Sequence, residues 1–186
     1  MLRRVYLPLA LFAVLVGCRT ERKVDVATRD GILLLGNGGE PRALDPHLVS
    51  AVGDANILRA LFEGLVTNHP SDDTIHEPGV AERWESNPEA TEWTFYLRRD
   101  ARWSNGDPVT AHDFVYAFSR ILDPGMASPY ATMLYFLKNG EAYNSGKLKD
   151  FGGVGAKAVG DYELQAMDDS GRVSSARISV RLAVGN

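Results

Sequence analysis

The amino-acid sequence predicts an α+β fold in which a small mixed sheet is flanked by several helices. Residues 93–98 alternate large side chains with more polar ones, and this period of two is typical of a strand with one buried face. Residues 110–122 instead place apolar side chains on one face at helical spacing, from Phe114 to Ile121. Between them, Asn105 and Gly106 tolerate the positive φ of a sharp turn.

The helix over residues 110–122 carries its own start and stop signals. Thr110 fits the N-cap position, and Asp113, three residues later, can accept hydrogen bonds from free backbone N–H groups. Residues 123–125, Asp-Pro-Gly, end the helix. The stretch from Gly79 to Leu122 is predicted to begin with a further helix, so it runs helix, strand, turn, helix.

The chain before this region contains a second amphipathic helix. Residues 54–65 place their apolar side chains on one helical side. The apolar run 32–35 predicts a short buried strand, which the glycine-rich residues 36–39 end. These glycines are read as a turn rather than a phosphate loop, because Glu40 and Pro41 follow them instead of a lysine and a hydroxyl residue.

The first residues have the features of a targeting segment. A basic start, Arg3 and Arg4, precedes the apolar run 5–16, which is shorter than the roughly 20 residues that a membrane helix needs. Leu-Val-Gly-Cys at 15–18 is typical of a bacterial lipobox, in which the cysteine thiol receives a diacylglycerol. We therefore expect a lipoprotein signal peptide over 1–17 and lipid attachment at Cys18; an ordinary secretory leader with an incidental cysteine is the alternative.

Composition restricts the remaining possibilities. Residues 18–30 are polar, charged and without periodicity, which indicates a tether. A single cysteine rules out an internal disulfide, and the formal net charge of −4 argues against a nucleic-acid surface. The protein is expected outside the cytoplasm, held at the membrane by its lipid anchor only.

Two groups of residues suggest a metal site or a catalytic base, but each fits a simpler explanation better. One group lies beside Pro70 and Ser71 and lacks the spacing of ligands on one helical face, so a solvated acidic loop is favoured over a metal site: His69, Asp72, Asp73, His76, Glu77. His112 next to Asp113 is a possible base, yet no serine or cysteine nucleophile accompanies it, and a surface histidine is the plainer interpretation. We expect neither enzymatic activity nor a cofactor.

The sequence from about residue 34 to residue 165 closely resembles the extracytoplasmic oligopeptide-binding proteins of ABC importers, solute-binding protein family 5. The resemblance rests on four long motifs: G-N-G-G-E-P-R-A-L-D-P-H at 36–47, N-I-L-R-A-L-F-E-G-L at 56–65, W-S-N-G-D-P-V-T-A-H-D-F at 103–114 and D-P-G-M-A-S-P-Y at 123–130. It implies the N-terminal portion of a two-lobe periplasmic-binding-protein fold, with 31–165 forming part of lobe I and a family-specific subdomain. It also implies a monomer that binds an oligopeptide ligand and delivers it to the transmembrane subunits of an ABC permease.

The resemblance identifies two candidate peptide-binding elements. Ser50, Ala51 and Val52 match an extended stretch whose backbone N–H and C=O groups accept a peptide as an added β-strand. By the residues alone, this stretch is a plain loop before the helix. Tyr130 matches a tyrosine that faces the ligand cleft, where it can stack and donate a hydrogen bond; a half-buried packing residue is the equal alternative.

The resemblance ends near Gln165. Residues 166–186 lack the aromatic residues of the family and are rich in serine and arginine, so we expect a divergent tail from a frameshift or a truncated gene. Peptide binding would then be weakened or lost. A module that binds another envelope protein without a transport role is the alternative function.

Overall fold

The structure, a computed structural model, describes residues 21–168 and 184–185. The predicted signal peptide at 1–17, the lipid-attachment residue Cys18 and most of the divergent tail at 166–186 lie outside the described residues. The chain divides into two compact units, residues 1–38 and residues 39–186.

The described part of the first unit holds one short helix, α1 (Lys23–Arg29), within a segment that was expected to lack regular structure. Asp25 in its first turn and Arg29 in its last turn both suit the helix dipole. The prediction of a buried strand at 32–35 is wrong: this run is irregular, and Leu33 and Leu35 are 79% and 80% exposed. Within the described residues of this unit no strand lies beside the run, so its backbone has no sheet partner.

The second unit is built around a four-stranded sheet. Its strands lie in the order β4 (Ala81–Ser86), β5 (Glu92–Leu97), β7 (Glu163–Met167) and β6 (Ala156–Gly160). The expected sheet was mixed, whereas every described strand pair is antiparallel. The predicted β5 strand is confirmed, with Phe95 and Leu97 on the buried face.

The helix predicted at the start of the stretch from Gly79 is wrong, because β4 (Ala81–Ser86) lies there. Its pairing with β5 is interrupted by a bulge between Ala81 and Arg83. The extra residue puts Ala81 opposite Leu97 and Trp84 opposite Phe95. Ala81 and Trp84 both face the core and are three positions apart, which is also the spacing of residues on one face of a helix. This spacing explains why a helix was predicted here.

The helix α3 (Ala111–Leu122) packs against β6 and β7. Its predicted capping box is confirmed: the Thr110 backbone N–H donates to Asp113 Oδ2 at 2.7 Å. Phe114 and Leu122 are fully buried and form the core together with Phe95 and Leu164 of the sheet. Burial of this face fixes α3 relative to the sheet.

Residues 39–80, which precede β4 in the second unit, also differ from the expectation. The predicted helix is displaced, since α2 spans Val52–Leu61 and β1 (Phe62–Glu63) follows it, paired with β8 (Val184–Gly185). The loop expected around 69–77 is instead a hairpin of β2 (Val66–His69) and β3 (Asp72–Pro78).

The remaining elements are short. Ala131–Leu134 forms a 3₁₀ turn, α4 spans Gly140–Asn144, and a second 3₁₀ turn spans Phe151–Gly153. The α+β fold class is confirmed. Among the described residues, no helix has the length and apolar character to cross a membrane.

Candidate functional site

Four polar residues join the segment before α2 to the loop after α3. Arg120, in the last turn of α3, donates from Nη1 to Asp45 Oδ1 at 2.8 Å and from Nη2 to Asp45 Oδ2 at 2.5 Å. Both side chains are 28% exposed, so the two-point ion pair is only partly shielded from water. The backbone N–H of His47 also donates to Asp45 Oδ1, at 3.0 Å.

The ring of His47 completes this arrangement. It is buried, and its Nδ1 lies 2.7 Å from Arg120 Nη1. A guanidinium has no acceptor, so Nδ1 must accept, and a neutral ring carries its proton on Nε2. Burial, followed by the charge of Arg120, lowers the pKa of His47, which favours this neutral form.

The carboxylate of Asp45 is held in its charged form by the same contacts. The side-chain hydrogen bonds from Arg120 lower the pKa of Asp45 from 3.8 to about 2, against an opposing effect of burial. Asp45 and Arg120 therefore stay paired throughout the neutral and mildly acidic range.

Ser128 extends the connection to the loop after α3. Its Oγ donates to the backbone C=O of His47 at 2.6 Å, and it accepts the backbone N–H of Tyr130 at 3.3 Å. Ala127, immediately before it, has a φ of 49°, in the left-handed region that residues other than glycine rarely adopt. We call Asp45, His47, Arg120 and Ser128 the polar clamp.

The predicted peptide-binding residues follow two members of the polar clamp along the chain, residues 50–52 after His47 and Tyr130 after Ser128. Ser50 is exposed, and Ala51 is extended, with φ −85° and ψ 141°. Val52 is instead the first residue of α2, so the extended stretch ends one residue earlier than expected; its side chain is 74% exposed. Tyr130 is 41% exposed, and among the described residues its hydroxyl has no hydrogen-bond partner.

The polar clamp is the part of the site that sequence reasoning missed. Arg120 and Asp45 are 75 positions apart, and Ser128 and His47 are 81 apart. No local periodicity connects positions so distant. The one available signal was the D-P-H turn, in which a carboxylate and a histidine are held close together by a proline.

The two groups considered for chemistry lie mainly at the surface, although Nδ1 of His76 is buried. His69 Nε2 lies 3.8 Å from Glu77 Oε1 on the β2–β3 hairpin, and His112 Nε2 lies 3.8 Å from Asp161 Oδ1. The interpretation of His112 as an exposed histidine in the first turn of α3 is confirmed. Over residues 21–168, no group of three or more His, Cys, Asp or Glu could hold a metal ion.

The fold, with its open sheet and flanking helices, is that of part of a periplasmic binding protein. Residues 76–167 match the family described as bacterial extracellular solute-binding proteins, family 5 Middle. Over this matched region the chain is similar to that family.

Two periplasmic oligopeptide-binding proteins are also similar to the chain. The chain is 48% identical over 119 residues to the periplasmic oligopeptide-binding protein OppA of Haemophilus influenzae, covering 63% of this chain and 22% of that protein. It is 45% identical over 139 residues to OppA of Salmonella typhimurium, covering 72% and 24%. The chain thus spans about a quarter of the length of the curated relatives it matches.

Solved structures agree with the sequence comparison. The crystal structure of H. influenzae OppA in complex with RPPGFSPFR gives a TM-score of 0.67 at 44% identity, over 72% of this chain and 26% of that one. Listeria monocytogenes OppA bound to peptide gives 0.66 at 33% identity, again over 72% and 26%.

Proposed function

We propose that this chain binds oligopeptides as a solute-binding component of an ABC peptide importer, and that Ser50, Ala51, Val52 and Tyr130 form its peptide-binding surface. The proposal is supported by relatives that are named oligopeptide-binding proteins and by related structures described with a bound peptide. The protein acts as a monomer outside the cytoplasm, attached to the membrane by a lipid on Cys18, and delivers peptide to the permease.

The observation that carries the proposal is the hydrogen bond from Ser128 Oγ to the C=O of His47. It joins the chain that leads into Ser50 and Ala51 to the loop that leads into Tyr130. Two elements expected to contact peptide, far apart in sequence, are therefore tied to one residue.

The chemistry of this surface suits ligands of varied sequence. Ala51 has an extended backbone whose C=O already accepts the Ala55 N–H at 3.0 Å, so its N–H is the group left to pair with a peptide. Main-chain hydrogen bonds recognise the feature that all peptides share. The exposed Tyr130 adds a flat apolar ring and a hydroxyl that is available to donate or accept. Side chains of the ligand then need no dedicated partner.

The chain should bind peptides with modest affinity. An exposed surface contacts a peptide from one side only, so the peptide keeps much of its hydration, and the cost of ordering it is only partly offset. We expect a binding free energy weaker than about −8 kcal/mol, which corresponds to a dissociation constant above about 1 μM.

The test is calorimetric titration of a tri- to pentapeptide pool into the full chain carrying Cys18→Ser, after circular dichroism shows that it is folded. Tyr130→Ala should weaken binding more than Tyr130→Phe, which keeps the ring. Tyr96→Ala is the matched control, because Tyr96 alternates with the buried Phe95 and Leu97 and so lies on the sheet face away from α3. Equal affinities for the wild type and Tyr130→Ala would contradict the assigned surface.

The lipid anchor has its own test. Radiolabelled palmitate fed to cells that express the full chain should be incorporated into the protein, and Cys18→Ala should abolish the incorporation. Label that persists in the Cys18→Ala variant would contradict lipid attachment at this residue.

A second candidate function is a module that binds another envelope protein without transport. It is favoured by large apolar side chains that stay exposed, among them Leu48, Val52 and Met133. Three results together would favour this function over peptide binding. The folded chain gives no heat with peptides, it is retained on a column of immobilised membrane-protein extract, and Met133→Ser abolishes that retention.

A further inference from the structure

We propose that Arg120 and Ser128 are positioning residues that lock the two halves of the peptide-binding surface to one another before a ligand arrives. The inference rests on the proposed function for its consequence, a change in peptide affinity. Its structural content, the coupling of residues 50–52 to Tyr130 through the polar clamp, is independent of that function.

Arg120 ties the first half of the surface to the rigid part of the unit. The neighbouring residues Ile121 and Leu122 are buried in the core, so the backbone that carries Arg120 is fixed by α3. From this position the guanidinium makes two hydrogen bonds to Asp45 and one to the His47 ring. A planar guanidinium holds a carboxylate in one orientation, which a lysine ammonium cannot do. The turn at 45–47 is therefore held in a single position.

Ser128 ties the second half of the surface to the same turn. Ala127 has the unfavourable φ of 49°, and such a conformation persists only where surrounding contacts impose it. Two contacts do so here: the bond from Ser128 Oγ to His47 C=O, and the turn at Asp123, whose carbonyl accepts the Met126 N–H. Tyr130 follows Ser128 by two positions, and its backbone N–H donates to Ser128 Oγ.

His47 is the shared member of both connections, through its ring to Arg120 and through its carbonyl to Ser128. Residues 50–52 follow it by only three to five positions. A displacement of either half therefore has to move His47 or break one of its hydrogen bonds. Such preorganisation lowers the ordering cost of ligand binding, although neither Arg120 nor Ser128 needs to contact the peptide.

The test compares Ser128→Ala with Ser128→Thr, which keeps the hydroxyl, in the full chain with Cys18→Ser. Ser119→Ala is the matched control, since the Ser119 hydroxyl donates to the Tyr116 carbonyl within α3 and lies outside the polar clamp. Two readouts are used: hydrogen exchange of the backbone amides, resolved by residue, and affinity for a pool of trialanine and tetra-alanine.

In Ser128→Ala, we expect the amides of Leu48 and Val49, which both donate to the Asp45 carbonyl at 3.1 Å, to exchange faster, although the substitution is far from them in sequence. Peptide affinity should fall by about two- to tenfold, the usual effect of losing one hydrogen bond. Ser128→Thr should restore both readouts, and Ser119→Ala should change neither. Arg120→Lys should accelerate exchange at Leu48 and Val49 and also at Tyr130, whose N–H donates to Ser128 Oγ, because the two-point contact with Asp45 is lost.

The outcomes separate this inference from the proposed function. Unchanged exchange at Leu48 and Val49 in Ser128→Ala would overturn the coupling, whatever the peptide affinity. Faster exchange at Leu48 and Val49 in a chain whose wild type binds no peptide would support the coupling and contradict the proposed function. Faster exchange with wild-type peptide affinity would overturn the positioning role.

Discussion

Replacing Asp45 by asparagine removes the charge of the polar clamp while it keeps the shape of the side chain. The pKa of Asp45 falls from 3.8 to about 2 because Arg120 donates two hydrogen bonds to it. At about 1.4 kcal/mol per pH unit, this difference corresponds to about 2.5 kcal/mol of folding free energy. The pair is partly exposed, so screening by water reduces the expected loss to about 1–2 kcal/mol.

The pH dependence of this loss has a definite sign. A carboxyl group whose pKa is lower in the folded state stabilises the fold fully above its ordinary pKa, here 3.8. That stabilisation disappears as the pH falls through the folded-state value of about 2. The difference between wild type and Asp45→Asn should therefore be constant from pH 7 to pH 5 and shrink between pH 4 and pH 2.

Urea unfolding followed by tryptophan fluorescence measures both quantities, because Trp84, Trp93 and Trp103 pack against the core. Asp161→Asn is the control, since the Asp161 side chain is 70% exposed and outside the polar clamp. An Asp45→Asn variant as stable as the wild type at pH 7, or a stability gap that stays the same down to pH 2, would refute the reasoning.

Three further substitutions test the fold through urea midpoints. Phe114→Ala should lower the free energy of unfolding by about 3–5 kcal/mol, because a fully buried ring is replaced by a cavity; a loss under about 1 kcal/mol would contradict this core. Gly155→Ala should cost about 1–3 kcal/mol, since the new Cβ would lie 2.4 Å from the Met167 carbonyl oxygen, and an unchanged midpoint would contradict that packing. Ala127→Gly should raise stability by about 0.5–1 kcal/mol by relieving the φ of 49°; a destabilised variant would argue against strain there.

Local patterns predicted the elements whose stability is local. The alternation at β5 and the Thr110–Asp113 capping box of α3 are each contained within a few residues, and both are confirmed. β4 was mistaken for a helix because a bulge spaces its core-facing residues three apart, and a bulge is defined only by the partner strand. The apolar run at 32–35 shows the converse, since a strand-like composition does not make a strand without a partner among the described residues.

The candidate site was predictable only in part, for the same reason. Ser50, Ala51, Val52 and Tyr130 came from a family resemblance and remain predictions as peptide contacts. The polar clamp depends on the contact of an arginine with a carboxylate 75 positions away, and no sequence pattern near either residue predicts that contact. Only the three-dimensional fold, which places α3 beside the turn at 45–47, brings Arg120 and Asp45 together.

The central claim is that peptides bind at the surface formed by residues 50–52 and Tyr130. The most direct measurement is a titration of the full chain carrying Cys18→Ser with trialanine and tetra-alanine, followed by amide chemical shifts assigned to individual residues. The account predicts saturable shifts that are largest at Ser50, Ala51, Val52 and Tyr130 and small on the edge strand β4. Absence of shifts at saturating peptide, or shifts concentrated elsewhere in the chain, would contradict it.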